Sequence, residues 1–212
     1  MTAMREHKNF WDKNAGRYDR FMRKDRAAYE EMYKLIRPVV KAKTVLELAT
    51  GTGLIAKHIV NAAAHIEATD DSVEMVLEAK RDNQSAKLHF SVQDATSLPY
   101  ADETFDAVLI ANALHIMPRP EKALAEIYRV LKPGGQLFAP TFAHGEVPRT
   151  RLRMLAMRCA GLQIYNSWMV PQYLAFLQAG GFAVQEHALL GDTLAPLCYA
   201  RAVPDKTRVT QR

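Results

Sequence analysis

Three acidic residues in this sequence stand where short apolar runs end: Glu47 in Glu47-Leu-Ala-Thr-Gly-Thr-Gly53, Asp70 in Ala68-Thr-Asp-Asp71, and Asp94 in Gln93-Asp94. The glycines of the first motif let the backbone turn tightly and approach a ligand that a Cβ would block. A carboxylate following a second strand, such as Asp70, 19 positions after Gly51, can accept hydrogen bonds from both hydroxyls of a ribose. One after a third strand, Asp94, can accept from an exocyclic amino group of a base. A single acid at a strand end is ordinarily a solvated turn residue. Acids at the ends of successive strands, with a glycine-rich turn after the first, form a nucleoside-binding pattern.

The elements that must hold these residues are legible from periodicity. Met32, Tyr33, Leu35 and Ile36 mark a helix that Pro38 should stop. Short apolar runs at 44–49, 65–69, 88–92, 105–111 and 136–142 read as strands. Helical segments at 54–61, 74–80 and 121–131 separate several of them, with Ser72 as an N-cap. Lys132-Pro-Gly-Gly135 reads as a turn before the fifth strand. Residues 165–181 read as helix closed by Gly180-Gly181, followed by strands at 182–187 and 197–202 and a polar tail from Pro204. Strands alternating with helices predict an α/β fold: a Rossmann-like, doubly wound sheet of seven strands, mostly parallel, the last antiparallel, with helical cap elements. The expected organisation is a single domain over 1–203. It comprises an N-terminal helical cover at 1–40, a ligand-binding core at 44–142, a cap at 144–180 and final strands at 182–203, with a flexible tail at 204–212.

Bulk composition narrows the function classes. The chain has 212 residues, 49% of them hydrophobic, which suits one domain with a real core. It contains no apolar run of about 18 residues and no secretion-signal pattern at its N-terminus, and its cysteines are Cys159 and Cys198, so a reducing, cytoplasmic setting is expected. No cluster of His, Asp, Glu or Cys has metal-ligand spacing, so no metal is expected. The net charge of +5 is concentrated in Arg149, Arg151, Arg153 and Arg158, inside a stretch from Val147 to Gln185 that carries no acid. That localised basicity suits an anionic group on a substrate, or a weak membrane-surface contact, better than general nucleic-acid binding.

The motifs at 47–53, 68–75, 93–100, 103–115 and 129–135, in this order and spacing, resemble the class I S-adenosylmethionine-dependent methyltransferases over residues 44 to 142. The segment Trp11-Asp-Lys-Asn-Ala-Gly-Arg-Tyr-Asp19 is similar to the branch with quinone-biosynthesis C-methyltransferases and related small-molecule and phospholipid enzymes. The resemblance implies S-adenosylmethionine as cofactor and S-adenosylhomocysteine as product. It places Glu47 near the methionine amino group or beneath the loop, and Ala49, Gly51 and Gly53 against the cofactor. Asp70 would hold the ribose, Asp71 and Met75 would lie beside the adenine, and Asp94 would hold the adenine amino group with Ala95 close by. Asn112 would sit beside the methionine portion, and Tyr18 would close over the methyl-donor end. The family usually has glycine where this chain has Ala49, an exchange that fits if φ there stays below zero.

If a general base is used, His115 is the candidate, because a neutral imidazole accepts a proton near pH 7; its bland alternative is packing after the fourth strand. Met154, Leu155, Met157, Leu162, Ile164, Tyr165, Trp168, Met169, Tyr173 and Phe176 give the cap a soft, aromatic composition suited to a small hydrophobic or lipid-like acceptor, or simply to a packed cap. A nicotinamide oxidoreductase would want GxGxxG in place of AxGxG. A nucleic-acid methyltransferase acting on exocyclic amines would carry a proline–proline–aromatic motif where Asn112-Ala-Leu-His115 stands, and no RNA-binding module is visible. A protein that holds the cofactor without turnover is the remaining alternative. An arsenic methyltransferase is disfavoured by the two cysteines. The acceptor atom and the oligomeric state are open at this level.

Overall fold

The structure is a computed structural model that describes residues 10–16, 20, 22, 25–142, 162–191 and 196–205. Helix α1 covers residues 10–16. Helix α2 (Arg26–Val39) buries Ala28, Tyr29, Met32, Tyr33 and Ile36, a stripe at helical spacing. Its Pro38 lies inside the last turn rather than ending the helix one residue earlier. Then follow β1 (Thr44–Leu48), α3 (Leu54–Ile59), β2 (His65–Asp70), α4 (Val73–Arg81), β3 (Leu88–Val92), β4 (Phe105–Ile110) and a 3₁₀ turn at Leu114–Ile116. The chain continues through α5 (Pro120–Val130), β5 (Leu131–Phe138), β6 (Thr141–Phe142), α6 (Val170–Ala179), β7 (Phe182–Leu190) and β8 (Leu197–Pro204).

Among the described residues one sheet contains all eight strands. Strands β3, β2, β1, β4 and β5 lie side by side in that order and are parallel. Strand β8 runs antiparallel to β5 and β6 and also to β7. The expected seven strands become eight because the fifth is interrupted: Pro140 has no N–H to give to the ladder, and pairing with β8 resumes at Thr141. Along β1 and β4 the side chains alternate between two cores. Val45, Ala107 and Leu109 join Met32, Ile36, Ile55 and Ile59 of α2 and α3 on one face. Leu46, Leu48, Val108 and Ile110 join Leu124, Ile127, Tyr173 and Leu177 of α5 and α6 on the other. This doubly covered parallel sheet is the predicted fold class.

Two local readings change. Lys132-Pro-Gly-Gly135 is not a turn before a strand but an irregularity within β5. Phe105 pairs with Leu131 and Ala107 with Gln136, five steps along β5 against two along β4. Gly134, at φ 77°, permits the excursion. Helix α6 starts at Val170, with Pro171 in its first turn, and residues 162–169 have no regular structure. Its end is as expected, with Gly181 at φ 91°. The final strand extends through Pro204, where the tail is expected to begin; residues 206–212 of that expected tail lie outside the described residues.

Candidate functional site

The strand order reverses between β1 and β4, and ligands of open α/β sheets bind outside the carboxyl ends of the strands at such a switch point. A cleft lies there. From β1 it takes Ala49 and Gly51, and from the β2–α4 connection Asp70, Asp71, Ser72 and Met75. The β3 end supplies Gln93, Asp94, Ala95 and Thr96, the β4 end Ala111 to Ala113, and the following turn Ile116 to Arg119. Trp11 of α1 forms part of the wall as well.

Local hydrogen bonds set these residues in place. Gly51 N donates to Asp70 Oδ2 at 2.8 Å and Ser72 N to Asp70 Oδ1 at 2.9 Å, so one carboxylate ties the β1 loop to the start of α4. Ser72 caps α4, its Oγ accepting from Met75 N at 3.1 Å, as its residue type predicts. Asp94 Oδ1 accepts from both the backbone N and the Oγ1 of Thr96, at 2.8 Å each, which holds the β3 turn. Each carboxylate oxygen has more than one acceptor site, so this internal bonding leaves both groups able to receive a ligand's hydroxyl or amino hydrogens.

The electrostatics are those of a site waiting for donors. Glu47, 1% exposed, lies at the end of β1 on the face turned to α3, and its Oε2 has no hydrogen-bond partner among the described residues. Burial pushes its carboxyl up to about 8, against smaller opposing pulls from Thr50 and the Ala56 backbone. Burial likewise raises Asp70 to about 6, offset in part by the N–H groups of Ser72 and Gly51 and reinforced by Asp71 and Asp12. Buried carboxyls short of donors attract cations and N–H or O–H groups.

Of the residues expected at a cofactor, Ala49, Gly51, Asp70, Asp71, Met75, Asp94, Ala95 and Asn112 come together as the cleft lining. Glu47 and Gly53 lie behind it. Gly53 has φ 77° as the N-cap of α3, and a Cβ on it would meet Phe90 Cζ at 2.6 Å, so both its backbone conformation and its packing against β3 call for glycine. Tyr18 lies outside the described residues, as do Arg149, Arg151, Arg153, Arg158, Cys159, Met154, Leu155 and Met157. The condition on Ala49 is overturned: its φ is 51°, because the chain leaves β1 through a left-handed residue. Asn112, also left-handed at φ 52°, is a residue type that tolerates this region. Its amide is held at both ends, Nδ2 donating to Tyr29 Oη at 2.8 Å and Oδ1 accepting from Phe142 N at 3.0 Å.

His115 is buried, 5% exposed, and does not line the cleft. Its Nδ1 faces Thr141 Oγ1 at 3.3 Å, and its carbonyl accepts from Tyr165 N and Asn166 N. In the cap, Tyr173 is a core residue whose hydroxyl donates to Ala139 O, and Trp168 stacks on Phe176. Sequence reasoning missed Trp11, Gln93, Thr96 and the turn from Ile116 to Arg119. The missed turn follows the strand-four motif directly, and its position was the available signal.

Comparison with known proteins bears on the family and the fold. Residues 46–139 match the methyltransferase domain family. The demethylmenaquinone methyltransferase of Clavibacter sepedonicus is 32% identical over 169 residues, 70% of this chain and 69% of that protein. The chain belongs to the S-adenosylmethionine-dependent methyltransferases. The demethylmenaquinone methyltransferase of Renibacterium salmoninarum is 41% identical over 105 residues, and there the match spans 50% of this chain and 44% of that enzyme. In fold, the chain is similar to a Haloferax volcanii methyltransferase solved with the Trm112 methyltransferase activator. The TM-score is 0.82 at 21% identity, covering 94% and 97% of the two chains. An S-adenosylmethionine-dependent methyltransferase of Thermotoga maritima gives 0.74 at 19% identity, covering 93% and 99%. The residues present fit the family's cofactor: carboxylates for its hydroxyl and amino groups, apolar side chains for its base, and an orphaned acid, Glu47, near the loop.

Proposed function

We propose that this protein transfers a methyl group from S-adenosylmethionine to a small hydrophobic acceptor of the quinol or phenol kind. The observation that carries the reading is the cleft at the β1/β4 switch point, where Asp70 and Asp94 stand at the ends of neighbouring strands over a glycine-containing turn. When bound, the cofactor supplies a methyl group on a sulfonium sulfur. Asp70 accepts from the ribose hydroxyls while its existing bonds to Gly51 N and Ser72 N hold it rigid. Asp94 and Ala95 meet the amino edge of the adenine, and Met75 and Ile116 provide apolar contact. The turn from Ala49 to Gly51 receives the amino-acid end, and Glu47 supports that turn from behind. Ala111, Asn112 and Ala113 form the wall beside the reacting carbon. Holding two reactants in line contributes on the order of 7–11 kcal/mol to such a transfer, so positioning and exclusion of water are the main tasks of these side chains.

The acceptor class rests on the relatives, which are named demethylmenaquinone and ubiquinone/menaquinone biosynthesis methyltransferases, and on the apolar wall of Met117 and Pro118. As proton acceptor His115 would have to work from behind this wall. A His115→Ala variant with near-normal turnover on the true acceptor retires that role. The reading as a whole is tested with methyl-labelled S-adenosylmethionine and a panel of quinols, phenols, thiols, amines and lipids. Label transfer to a ring carbon or oxygen of a hydrophobic quinol or phenol is expected. Transfer only to an amine, a thiol or RNA contradicts the acceptor class. Cofactor binding with no transfer to any of them supports a binding protein instead.

A further inference from the structure

The cleft has one wall that no strand end supplies. Trp11 lines it from α1 and packs edge-on against Phe10, with ring centroids 5.0 Å apart. Both rings rest on a small apolar cluster of Ile116, Leu162 and Ile164, separate from the two cores of the sheet. The next residue, Asp12, crosses to the opposite side. Its Oδ1 accepts from Ser72 Oγ at 2.5 Å. That same Ser72 Oγ caps α4 by accepting from Met75 N, and Ser72 N donates to Asp70 Oδ1. Helix α1 therefore touches both banks of the cleft at consecutive residues. Phe10 and Trp11 hold the turn after β4, and Asp12 holds the turn after β2.

Resting on the cofactor reading above, we propose that Trp11 is a binding residue for the nucleoside half of the cofactor and that Asp12 is its positioning residue. Through Ser72, Asp12 clamps α1 shut over the occupied cleft. The indole supplies a flat apolar face to a base or ribose, and such faces add to binding beyond the area they cover. Two features make α1 the part that opens. Its rings Phe10 and Trp11 pack on a satellite cluster rather than in the two main cores of the sheet, and a segment outside the main cores opens at a lower local cost. The bond that closes it joins a carboxylate to a hydroxyl, a charge-assisted pair stronger than a neutral one. Asp12 also bears on Asp70 electrostatically, so the clamp and the ribose acceptor share one local field.

The test uses Trp168→Phe, which leaves Trp11 as the sole indole in a chain with two tryptophans. S-adenosylhomocysteine is titrated while Trp11 fluorescence is followed, and its dissociation is timed by stopped flow. The clamp predicts a saturable change in Trp11 emission. Asp12→Ala should speed dissociation about tenfold, in line with the loss of one charge-assisted bond. It should raise KM for the cofactor by a similar factor, with kcat at saturation within about twofold and an unchanged melting temperature. Asp12→Asn, which keeps an acceptor oxygen, should restore most of the slow dissociation. The double variant Ser72→Ala, Asp12→Ala should release S-adenosylhomocysteine no faster than the faster of the two single variants, because both remove the same bond. If Trp168→Phe does not fold, calorimetric affinity and dissociation kinetics of Trp11→Leu in the otherwise native chain replace the emission signal, and a change of less than twofold overturns the proposal. A silent Trp11 in a chain that binds S-adenosylhomocysteine by calorimetry, or Asp12→Ala dissociating at the native rate, overturns the clamp alone. Failure of the folded native chain to bind S-adenosylhomocysteine overturns both the clamp and the cofactor reading.

Discussion

The two ends of the central strands use the same residue types in opposite ways. At the amino ends, Asp106 accepts from Thr44 N at 2.9 Å and from Lys132 Nζ at 2.8 Å. Partial burial acts to raise this carboxyl, but the Lys132 bond, the Thr44 N–H and the charges of Lys132 and Lys43 outweigh it and hold it below its usual range. Nearby, Arg129 joins Glu126 and Asp102 and donates to the carbonyls of Leu98 and Tyr100. The bond from Arg129 is the largest influence on Glu126 and holds its carboxyl low. At the carboxyl ends, Glu47 and Asp70 are buried, pushed up, and in the case of Glu47 left with an unpartnered oxygen. Left-handed residues other than glycine stand at both ends, Ala42 and Glu103 before β1 and β4 and Ala49 and Asn112 after them, so backbone strain does not separate the two. At one edge the carboxylates are satisfied and at the other they are buried and short of donors, which is how a stable scaffold presents a reactive face.

The largest effect that sharpens this contrast is on the pH dependence of stability. The Glu47 carboxyl rises from 4.5 to about 8 on folding, so the native chain holds a proton that the unfolded chain releases. Stability therefore falls as pH rises from about 4.5 to 8 and levels above that. At about 1.4 kcal/mol per unit the loss is on the order of 4–5 kcal/mol. Asp70 acts in the same direction between 3.8 and about 6. In Glu47→Gln most of the decline between pH 6 and 9 should vanish, as read by denaturant midpoints. An unchanged slope would remove Glu47 from the account.

A smaller effect is expected at the opposite edge. Arg129→Ala removes the donor that joins Glu126, Asp102 and two carbonyls, and should destabilise by about 2–3 kcal/mol, lowering the melting temperature by about 5–10 °C. Cofactor affinity should stay within about twofold. A tenfold loss of affinity would show that the two edges are coupled and would break the division drawn here. The smallest effect belongs to Ala49→Gly. A left-handed alanine costs about 1–2 kcal/mol, and the glycine's greater freedom in the unfolded chain returns about 0.4–1 kcal/mol of that. A net gain of about 0.5–1 kcal/mol with little change in affinity is expected by thermal melting. Destabilisation by the glycine would mean that the methyl group of Ala49 contributes packing that outweighs its backbone strain.

What was legible in the sequence follows from how local each cause is. Strand ends, the Ser72 cap and the acids Asp70 and Asp94 depend on neighbours a few residues away, and their places were readable. The contact of Asp12 with Ser72 spans 60 positions, and nothing in either local sequence signals it, so Trp11 went unread as a wall of the cleft. The handedness of Ala49 depends on the path by which the chain leaves β1 toward Gly51, not on alanine's own preference, which points the other way. Gly53 was readable as a required glycine, but two of its requirements, a left-handed φ of 77° and the closeness of Phe90 on a strand distant in sequence, are set by the fold. The Lys132-Pro-Gly-Gly135 excursion reads as a turn from composition, and only pairing with β4 shows that the ladder runs past it.

The central claim is that the carboxyl-end cleft binds the sulfonium cofactor through Asp70. Calorimetric titration of S-adenosylmethionine and S-adenosylhomocysteine into the native chain and into Asp70→Ala tests it most directly. Micromolar binding by the native chain, weakened on the order of 100-fold in a folded Asp70→Ala variant, is the predicted result, in keeping with the loss of charged hydrogen bonds. Equal binding by the two proteins, or none by the folded native chain, would contradict it.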